Sequence, residues 1–550
     1  MDLTDLLGSP QIRRWHHAGK VKKLKDVDIP TLDVWNYGPC SHHDTPRAKC
    51  EYRACGGNPF KHQNKTAAFS YAAKKSIVGN NTGTGKTLSA LLTLAIAHHY
   101  GETIRCLVVV PSTAVTQWAA ETKRWTPGFT MKNIPPSTPK KDRLSVYASK
   151  WNILIMGYHS FTRDVAHIEK TGILQVVMDD IDPALNTSNL TYKALERICP
   201  NTNITIYQNA TALSMNLLQL YAATSLIGGR EVFGSLTNFN RNYVKKEPVY
   251  IYNKKKKKKQ RVYKATGYHN VKDFKTKFHP MNIRFTYEDI ADDVNIPDLV
   301  TERVYLDMSR RQRMKYSELQ DGVRTILNNK DQTTSQKAIN AMTAFTIGSQ
   351  ICAGVFALKT SDGGYEPDSP DASPKLDWIM DKLQGEWAAE KVVVYSKFRG
   401  SIKTLQGRLK EAGIGYSTIW GMETDPQVRQ TEMDKFWEDP KTRVMIISVS
   451  GERSLNLQNA SILVMWDMVL NPARVQQLAG RVRRAGSAHK RVYVFELLHN
   501  DSQEERYMDA LSARQALVDF VYDIDREGEL PDQALIEKLD PEQLLKLIQP

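Results

Sequence analysis

Residues 76–87, Ser76-Ile77-Val78-Gly79-Asn80-Asn81-Thr82-Gly83-Thr84-Gly85-Lys86-Thr87, decide how this chain reads, and an apolar-periodic run from Leu88 to Ala97 follows them. A short apolar strand, a glycine-rich loop and a helix, in that order, aim backbone N–H groups and a helix N-terminus at a phosphate chain. In such a loop Lys86 reaches the outer phosphates and the Thr87 hydroxyl holds Mg2+, with Thr82, Gly83, Thr84 and Gly85 forming the cradle. The strict pattern wants Gly or Ala five residues before Gly85, and Asn80 stands there. The weight therefore rests on Gly83-x-Gly85-Lys86-Thr87 in its context of strand before and helix after.

Outward from this loop, apolar runs at 105–110, 152–156, 174–178 and 203–207 alternate with helical patterns. Near-continuous Val and Ile runs spaced by helices predict a parallel sheet covered on both faces. A segment of turn formers and acids at 361–373 reads as a flexible connection. A second such rhythm follows, with strands at 391–395, 443–448, 461–465 and 491–495. The expected fold class is therefore α/β, with one architecture used twice. The expected division is an N-terminal extension (1–57), a first lobe (58–300), a second lobe (301–522) and an acidic tail (523–550). Residues 1–57 read as irregular, with basic runs and clustered Cys and His. The six lysines Lys254 to Lys259 are too self-repelling for a core and read as a solvated loop or a phosphate contact. Leu535, Leu539, Leu544 and Leu547 in the tail predict a small packed helix, with partner binding as the alternative.

At 550 residues the chain exceeds one core, and ~150 residues per domain suggests three or four units. Hydrophobic content of 41% and charged content of 25% are ordinary for a globular protein. Lys and Arg number 75 against 60 Asp and Glu, and the net charge of +15 favours a polyanionic partner, most simply nucleic acid. No stretch approaches the ~20 apolar residues of a membrane span, and Met1-Asp2-Leu3-Thr4-Asp5 lacks a signal-peptide pattern. Six cysteines make no disulfide framework. The chain reads as soluble, intracellular and reduced, with no membrane partner. Cys40, His43, Cys50 and Cys55 form two pairs, Cys40-x2-His43 and Cys50-x4-Cys55, of zinc-like spacing. They are candidate zinc ligands; reduced thiols beside a surface histidine are the alternative. Cys106, Cys199 and Cys352 read as core thiols.

Two further elements bear on the phosphate loop. The run Val176-Val177-Met178 ends in Asp179-Asp180. At such a strand end Asp179 would hold Mg2+ and Asp180 would orient or deprotonate a water. Acids that merely cap a helix are the bland alternative. Far downstream stands Gln477-Leu478-Ala479-Gly480-Arg481-Val482-Arg483-Arg484-Ala485-Gly486. Arginine is the side chain that stabilises charge on a transferring γ-phosphoryl group. Arg481 and Arg484 are the candidates, with a surface basic helix as the alternative.

These three elements together resemble helicase superfamily 2 and, in finer detail, the Snf2 (SWI2/SNF2) ATPases, over roughly residues 58–520. Phe60-Lys61-His62-Gln63 looks like the adenine-reading glutamine motif. Val109-Val110-Pro111-Ser112 with Gln117-Trp118, and Ile153 to Tyr158, resemble motifs Ia and Ib. Asn209-Ala210-Thr211 resembles motif III, and residues 282–309 the family's linker. Lys391 to Phe398, Leu455-Asn456-Leu457-Gln458 and Gln477 to Gly486 look like motifs IV, V and VI. The resemblance implies two RecA-like lobes, ATP and Mg2+ as cofactors, and ATP contacts that include Phe60, Gln63 and Gln477. It places Ser112, Gln117, Trp118, Tyr158, Ser396, Lys397, Ser448 and Asn456 against nucleic acid. It implies a translocase on double-stranded DNA that moves without full strand separation. The alternatives are a strand-separating helicase on DNA or RNA, and an ATP-inactive nucleic-acid-binding scaffold.

Departures stand beside the matches. Asp179-Asp180 replaces the family's Asp-Glu, Asn209-Ala210-Thr211 its Thr-Gly-Thr, and Gly451-Glu452-Arg453-Ser454 thins its glycine pair. The expectation is a working, slow ATPase. Because the motor takes up nearly all of the chain, it is expected to be a minimal motor of viral or bacterial type.

Overall fold

A computed structural model gives the fold. It describes residues 9–24, 27, 39–40, 43–46, 59–181, 185–209, 217–253, 258–291, 294, 296–328, 334–354, 356–359, 365–368, 373–421, 425–448, 455–469, 472–484, 487–508, 521 and 541–549. A hairpin of β1 (Pro39–Cys40) and β2 (His43–Pro46) stands apart from both large sheets. In the first lobe the strands are β3 (Lys75–Val78), β4 (Cys106–Val110), β5 (Met131–Ile134), β6 (Ile153–Gly157), β7 (Gln175–Asp179) and β8 (Ile204–Gln208). A two-stranded ribbon of β9 (Val244–Asn253) and β10 (Lys258–Tyr268) follows, then the short β11 (Asn282–Ile283). The sheet order is β11-β3-β8-β7-β4-β6-β5, and every pairing is parallel.

The second lobe repeats the plan. Its strands are β12 (Asp298–Leu306), a hairpin of β13 (Phe356–Lys359) and β14 (Tyr365–Asp368), then β15 (Val392–Tyr395), β16 (Gly415–Ile419), β17 (Thr442–Ile447), β18 (Ile462–Met465) and β19 (Arg491–His499). The six-stranded parallel sheet runs β12-β19-β18-β15-β17-β16. Alternation along β15 divides its residues between two cores: Val392 and Val394 face one layer, and Val393 and Tyr395 the other. Helices on both faces bury both sets, so these strands read as unbroken apolar runs.

The strands expected at 105–110, 152–156, 174–178, 203–207, 391–395, 443–448, 461–465 and 491–495 are all present, with ends shifted by a residue or more. Several expectations need correction. Residues 1–57 are not wholly irregular: a helix spans Pro10–Lys23, capped by the Ser9 hydroxyl, which accepts from Ile12 N at 3.1 Å. Trp15 buries its ring in the first core and donates from Nε1 to Lys75 O at 2.6 Å. Only Gln11, Trp15 and Ala18 form its buried face, too few for an apolar periodicity to stand out. The 361–373 segment contains β14, which pairs with β13. The boundary drawn at 300/301 falls inside β12, so the second sheet takes up the chain from Asp298. Lys258 and Lys259 lie in β10 rather than in a loop, and Lys254–Lys257 lie outside the described residues. The tail helix, Pro541–Ile548, buries Leu545 and Ile548 against the helices Arg310–Asn328 and Thr334–Cys352. Cys106, Cys199 and Cys352 are buried free thiols.

Candidate functional site

The C-terminal ends of β3, β8 and β7 lie side by side, which is where ligands collect in open parallel sheets. From β3 the chain turns through Gly83 (φ 75°) and Gly85 (φ 81°) into the helix Lys86–His99. Both glycines hold left-handed backbone that a side chain would strain. Thr84 Oγ1 donates to Asn81 O at 2.8 Å and tightens the turn. Lys86 Nζ donates to Asn80 O and Asn81 O at 3.0 and 3.1 Å, and burial lowers its pKa. Its charged neighbours are Asp180, Asp179, Arg481 and Arg484, two from each side of the cleft.

Asn80, the departure from the loop pattern, is fully buried and structural. Its Nδ2 donates to Thr66 Oγ1 at 3.0 Å, and its Oδ1 accepts from Phe285 N at 2.9 Å. Gln63 has a similar duty. Its Oε1 accepts from Phe60 N at 2.9 Å, and its Nε2 donates to Thr84 O at 3.0 Å. His62 also meets Thr84 O at 2.8 Å and stacks on the Phe60 ring. The glutamine expected to read adenine thus spends one end of its amide on the phosphate loop and the other on the N-cap of its own helix.

Asp179 ends β7, opposite Gln208 on β8. Burial and the neighbouring Asp180 push its carboxyl up to about 7. Trp118 Nε1 donates to Asp179 Oδ2 at 2.8 Å. Asp180 holds φ 50°, and its Oδ1 is buried without a hydrogen-bond partner. Thr87 follows Lys86 on the first turn of the helix. Hydroxyl and carboxylate oxygens are the donor set a small hard cation takes, and the orphaned Asp180 oxygen fits a site for such an ion or its water. Bound cation would favour the ionised form of Asp179, opposing the effect of burial.

The second lobe presents the helix Pro472–Val482 and the residues after it. Gly480 packs against Thr82 so closely that any Cβ would collide with the threonine side chain. A Cβ on Gly83 would lie 3.3 Å from Arg484 Cγ. Burial and the nearby Arg481 lower Arg484 to about 10. Arg481 O accepts from Leu457 N at 3.0 Å, tying this segment to the one that carries Asn456. Gln477 is half-buried on the same helix. A bridge from the connector between the lobes completes the contact. Tyr287 OH donates to Thr82 O at 2.8 Å and lies 2.8 Å from Thr82 Oγ1. The Arg483 guanidinium lies over the Tyr287 ring, 3.9 Å from its centre, and Nε donates to Pro297 O at 2.6 Å.

The residues expected to face nucleic acid divide into two sets. Ser112, Gln117 and Tyr158 are half-buried along one rim, with Ser112 and Tyr158 just past the ends of adjacent β4 and β6. Lys397 follows β15 and the buried Ser448 follows β17, and Asn456 accepts at its backbone carbonyl from Trp437 Nε1 at 3.0 Å. Two expectations are corrected. Trp118 is 2% exposed and supports Asp179, so its ring offers no surface. Ser396 is fully buried, and its hydroxyl donates to Asp467 Oδ2 at 2.7 Å. That same oxygen accepts from Lys397 N at 2.7 Å. Sequence reasoning gave no role to Gln208, whose Nε2 donates to Lys86 O at 2.9 Å. Its signal was its place as the strand-end residue just before Asn209. Tyr287 and Arg483 carry no signal of their own in the sequence, because no spacing rule links them.

Among the described residues no group of three or more His, Cys, Asp and Glu is placed to hold a metal. Cys40 and His43 are register partners in the β1–β2 hairpin; Cys50 and Cys55 lie outside the described residues. Among the described residues no helix is long and apolar enough to cross a membrane.

Comparison with known proteins finds the family described as SNF2-related domain over residues 62–360 and helicase conserved C-terminal domain over residues 374–486. An uncharacterized ATP-dependent helicase of Mycoplasma genitalium is 23% identical over 477 residues, covering 86% of this chain and 42% of its own length. A CHD3-type chromatin-remodeling factor of Arabidopsis thaliana is 21% identical, covering 82% of this chain and 36% of its own. The DNA repair and recombination protein RAD54-like of Mus musculus is 22% identical, covering 82% and 64%. This chain thus spans roughly two-fifths of the length of the first two relatives. A solved SWI2/SNF2 ATPase core of Sulfolobus solfataricus, in complex with dsDNA, aligns over 90% of this chain and 96% of its own, at 18% identity and a TM-score of 0.38.

Proposed function

This chain belongs to the SNF2-related family, and on that premise we propose that it is an intracellular ATP-driven motor that tracks along double-stranded DNA. The observation that carries the proposal is the seating of the Gly480–Arg484 segment on the Thr82–Gly83 loop. It makes the lysine of one lobe and the arginines of the other charge neighbours. ATP would lie in this cleft with Phe60, Gln63 and Gln477 on its border. Mg2+, held by Thr87 and Asp179, would neutralise charge on the outer phosphates. Lys86 would exchange the Asn80 and Asn81 carbonyls for phosphate oxygens. Asp180 would use its free Oδ1 to take a hydrogen bond from the attacking water. Arg481 and Arg484 would stabilise charge developing on the γ-phosphoryl group. Ser112, Gln117, Tyr158, Lys397, Ser448 and Asn456 would contact the DNA backbone, giving orientation with little base readout.

ATP hydrolysis measured in parallel with duplex DNA, single strands and RNA tests this reading. Duplex should stimulate most, and Arg484→Ala should lower kcat on the order of 10^3-fold. Displacement of a third strand from a triplex without unwinding of the duplex is the expected motor signature. Turnover no higher than that of Lys86→Ala with every polymer would overturn the motor and leave a scaffold. For the N-terminal segment the proposal is structural zinc held by Cys40, His43, Cys50 and Cys55. Metal analysis should find about one zinc per chain, and less than about half an equivalent overturns it.

A further inference from the structure

The β9–β10 ribbon takes no part in either large sheet. A two-stranded ribbon alone is marginal in water, so the feature calls for an explanation outside the fold's own stability. Its 25 residues, 244–268, carry ten Lys and Arg against the single Glu247, which is +9 of the chain's net +15. More than half of the chain's excess charge thus falls within this one stretch of sequence.

The register sorts that charge. Directly opposed residues share a face, and the pairing places Lys246, Pro248, Arg261 and Tyr263 on one side. One face therefore brings Lys246 and Arg261 together with Tyr263. On that face Lys246, Arg261 and Tyr263 are exposed, and the Arg261 guanidinium lies 5.1 Å from the Tyr263 ring centre. Lys245, which strand alternation puts on the opposite face, is exposed too. At about 3.4 Å per residue a strand of this length runs roughly 30 Å, and a two-stranded ribbon is narrow enough for a nucleic-acid groove.

We propose that the β9–β10 ribbon is a second polynucleotide-binding element, separate from the rims of the cleft, that holds the phosphodiester backbone with Lys245, Lys246 and Arg261 and lays Tyr263 against the sugar or base. It shares its partner with the motor reading above but stands on its own residues. Its role is retention: a contact outside the cleft keeps the polymer attached while the lobes part.

Fluorescence anisotropy of the full chain with a labelled duplex and a labelled single strand, over a range of salt, tests it. Replacing three phosphate contacts in the triple variant K245Q/K246Q/R261Q should reduce the slope of log affinity against log salt by about two to three. Affinity near 0.1 M salt should fall on the order of 10- to 100-fold. Tyr263→Ala should cost about tenfold on the single strand if the ring stacks on bases, and little on the duplex if it meets only sugar. ATP turnover without polymer should not change, because none of these residues lies at the nucleotide site. Arg261→Gln alone, with an expected slope change of about one, serves if the triple variant is poorly folded. A wild-type protein that binds polymer but gains no turnover sinks the motor and leaves the ribbon standing. Unchanged affinity and slope in the variants sink the ribbon and leave the motor standing. No binding by the wild type sinks both.

Discussion

Single residues explain where this chain departs from its relatives' pattern and where its stability is most exposed to pH. Asn80 occupies a position that favours glycine, yet its side chain fastens Thr66 to the Phe285 backbone and so trades flexibility for a fixed loop. In the second lobe Lys375 and Glu504 form a fully buried pair at 2.8 and 3.0 Å, and Lys375 Nζ also donates to Trp466 O at 3.1 Å. His499 sits beside them with no exposed surface. Its Nδ1–H donates to Leu306 O at 2.9 Å, and its Nε2 faces the Gln312 amide nitrogen at 3.3 Å. An amide nitrogen only donates, so Nε2 must accept and the ring is neutral. Burial and the Lys375 charge lower its pKa from 6.5 to about 4. The unfolded chain then binds the extra proton first as pH falls. Stability from this group is full above pH 6.5 and is lost progressively toward pH 4. The loss is up to about 3 kcal/mol. Urea unfolding at pH 7 and pH 4.5 should show this drop in the wild type and a smaller one in His499→Gln; equal drops would refute it.

At the scale of elements, what the sequence made legible was decided by burial. The strands β4, β6, β7, β15, β17 and β18 announce themselves because helices cover both faces, leaving runs such as Leu107-Val108-Val109-Val110. The edge strands do not. β12 exposes most of its residues and reads Asp-Leu-Val-Thr-Glu-Arg-Val-Tyr-Leu, and β16 mixes glycine with polar residues. The helix Pro10–Lys23 escaped notice because one tryptophan does most of its anchoring. The ribbon escaped because a lysine run looks like a loop until its partner strand is known. In the candidate site, residues that serve a loop or strand end, such as Lys86, Asp179 and the arginines, were legible from local motifs. Trp118 and Ser396 were misassigned because motif spacing does not show which way a side chain turns. Tyr287 and Gln208 act across long separations, on Thr82 and on the Lys86 backbone, and no local pattern encodes that.

Across the whole molecule, Tyr287 of the connector joins the two lobes. Its hydroxyl engages Thr82 of the first lobe while Arg483 of the second covers its ring. Tyr287→Ala removes both contacts; Tyr287→Phe keeps the ring. The alanine variant should sample more open arrangements, seen as a larger radius of gyration in solution scattering. Its polymer-stimulated ATP turnover should fall roughly tenfold, since closure completes the site. Phenylalanine should fall between alanine and wild type. Scattering from the alanine variant that matches wild type would refute the strap.

The chain first passes between the lobes in residues 284–297, between β11 and β12, and Val521 later packs back into the core of the first lobe. The start of that crossing is pinned to the phosphate loop, with Asn81 N donating to Phe285 O at 3.1 Å and Phe285 N donating to the Asn80 side chain. At this crossing the lobes are joined like the boards of a book whose spine runs beside the loop. Swinging them apart moves the atoms next to the spine least and the outer margins most. A slight tilt near the phosphates becomes a long stride at the fore-edge, so leverage is set by where the binding is sewn.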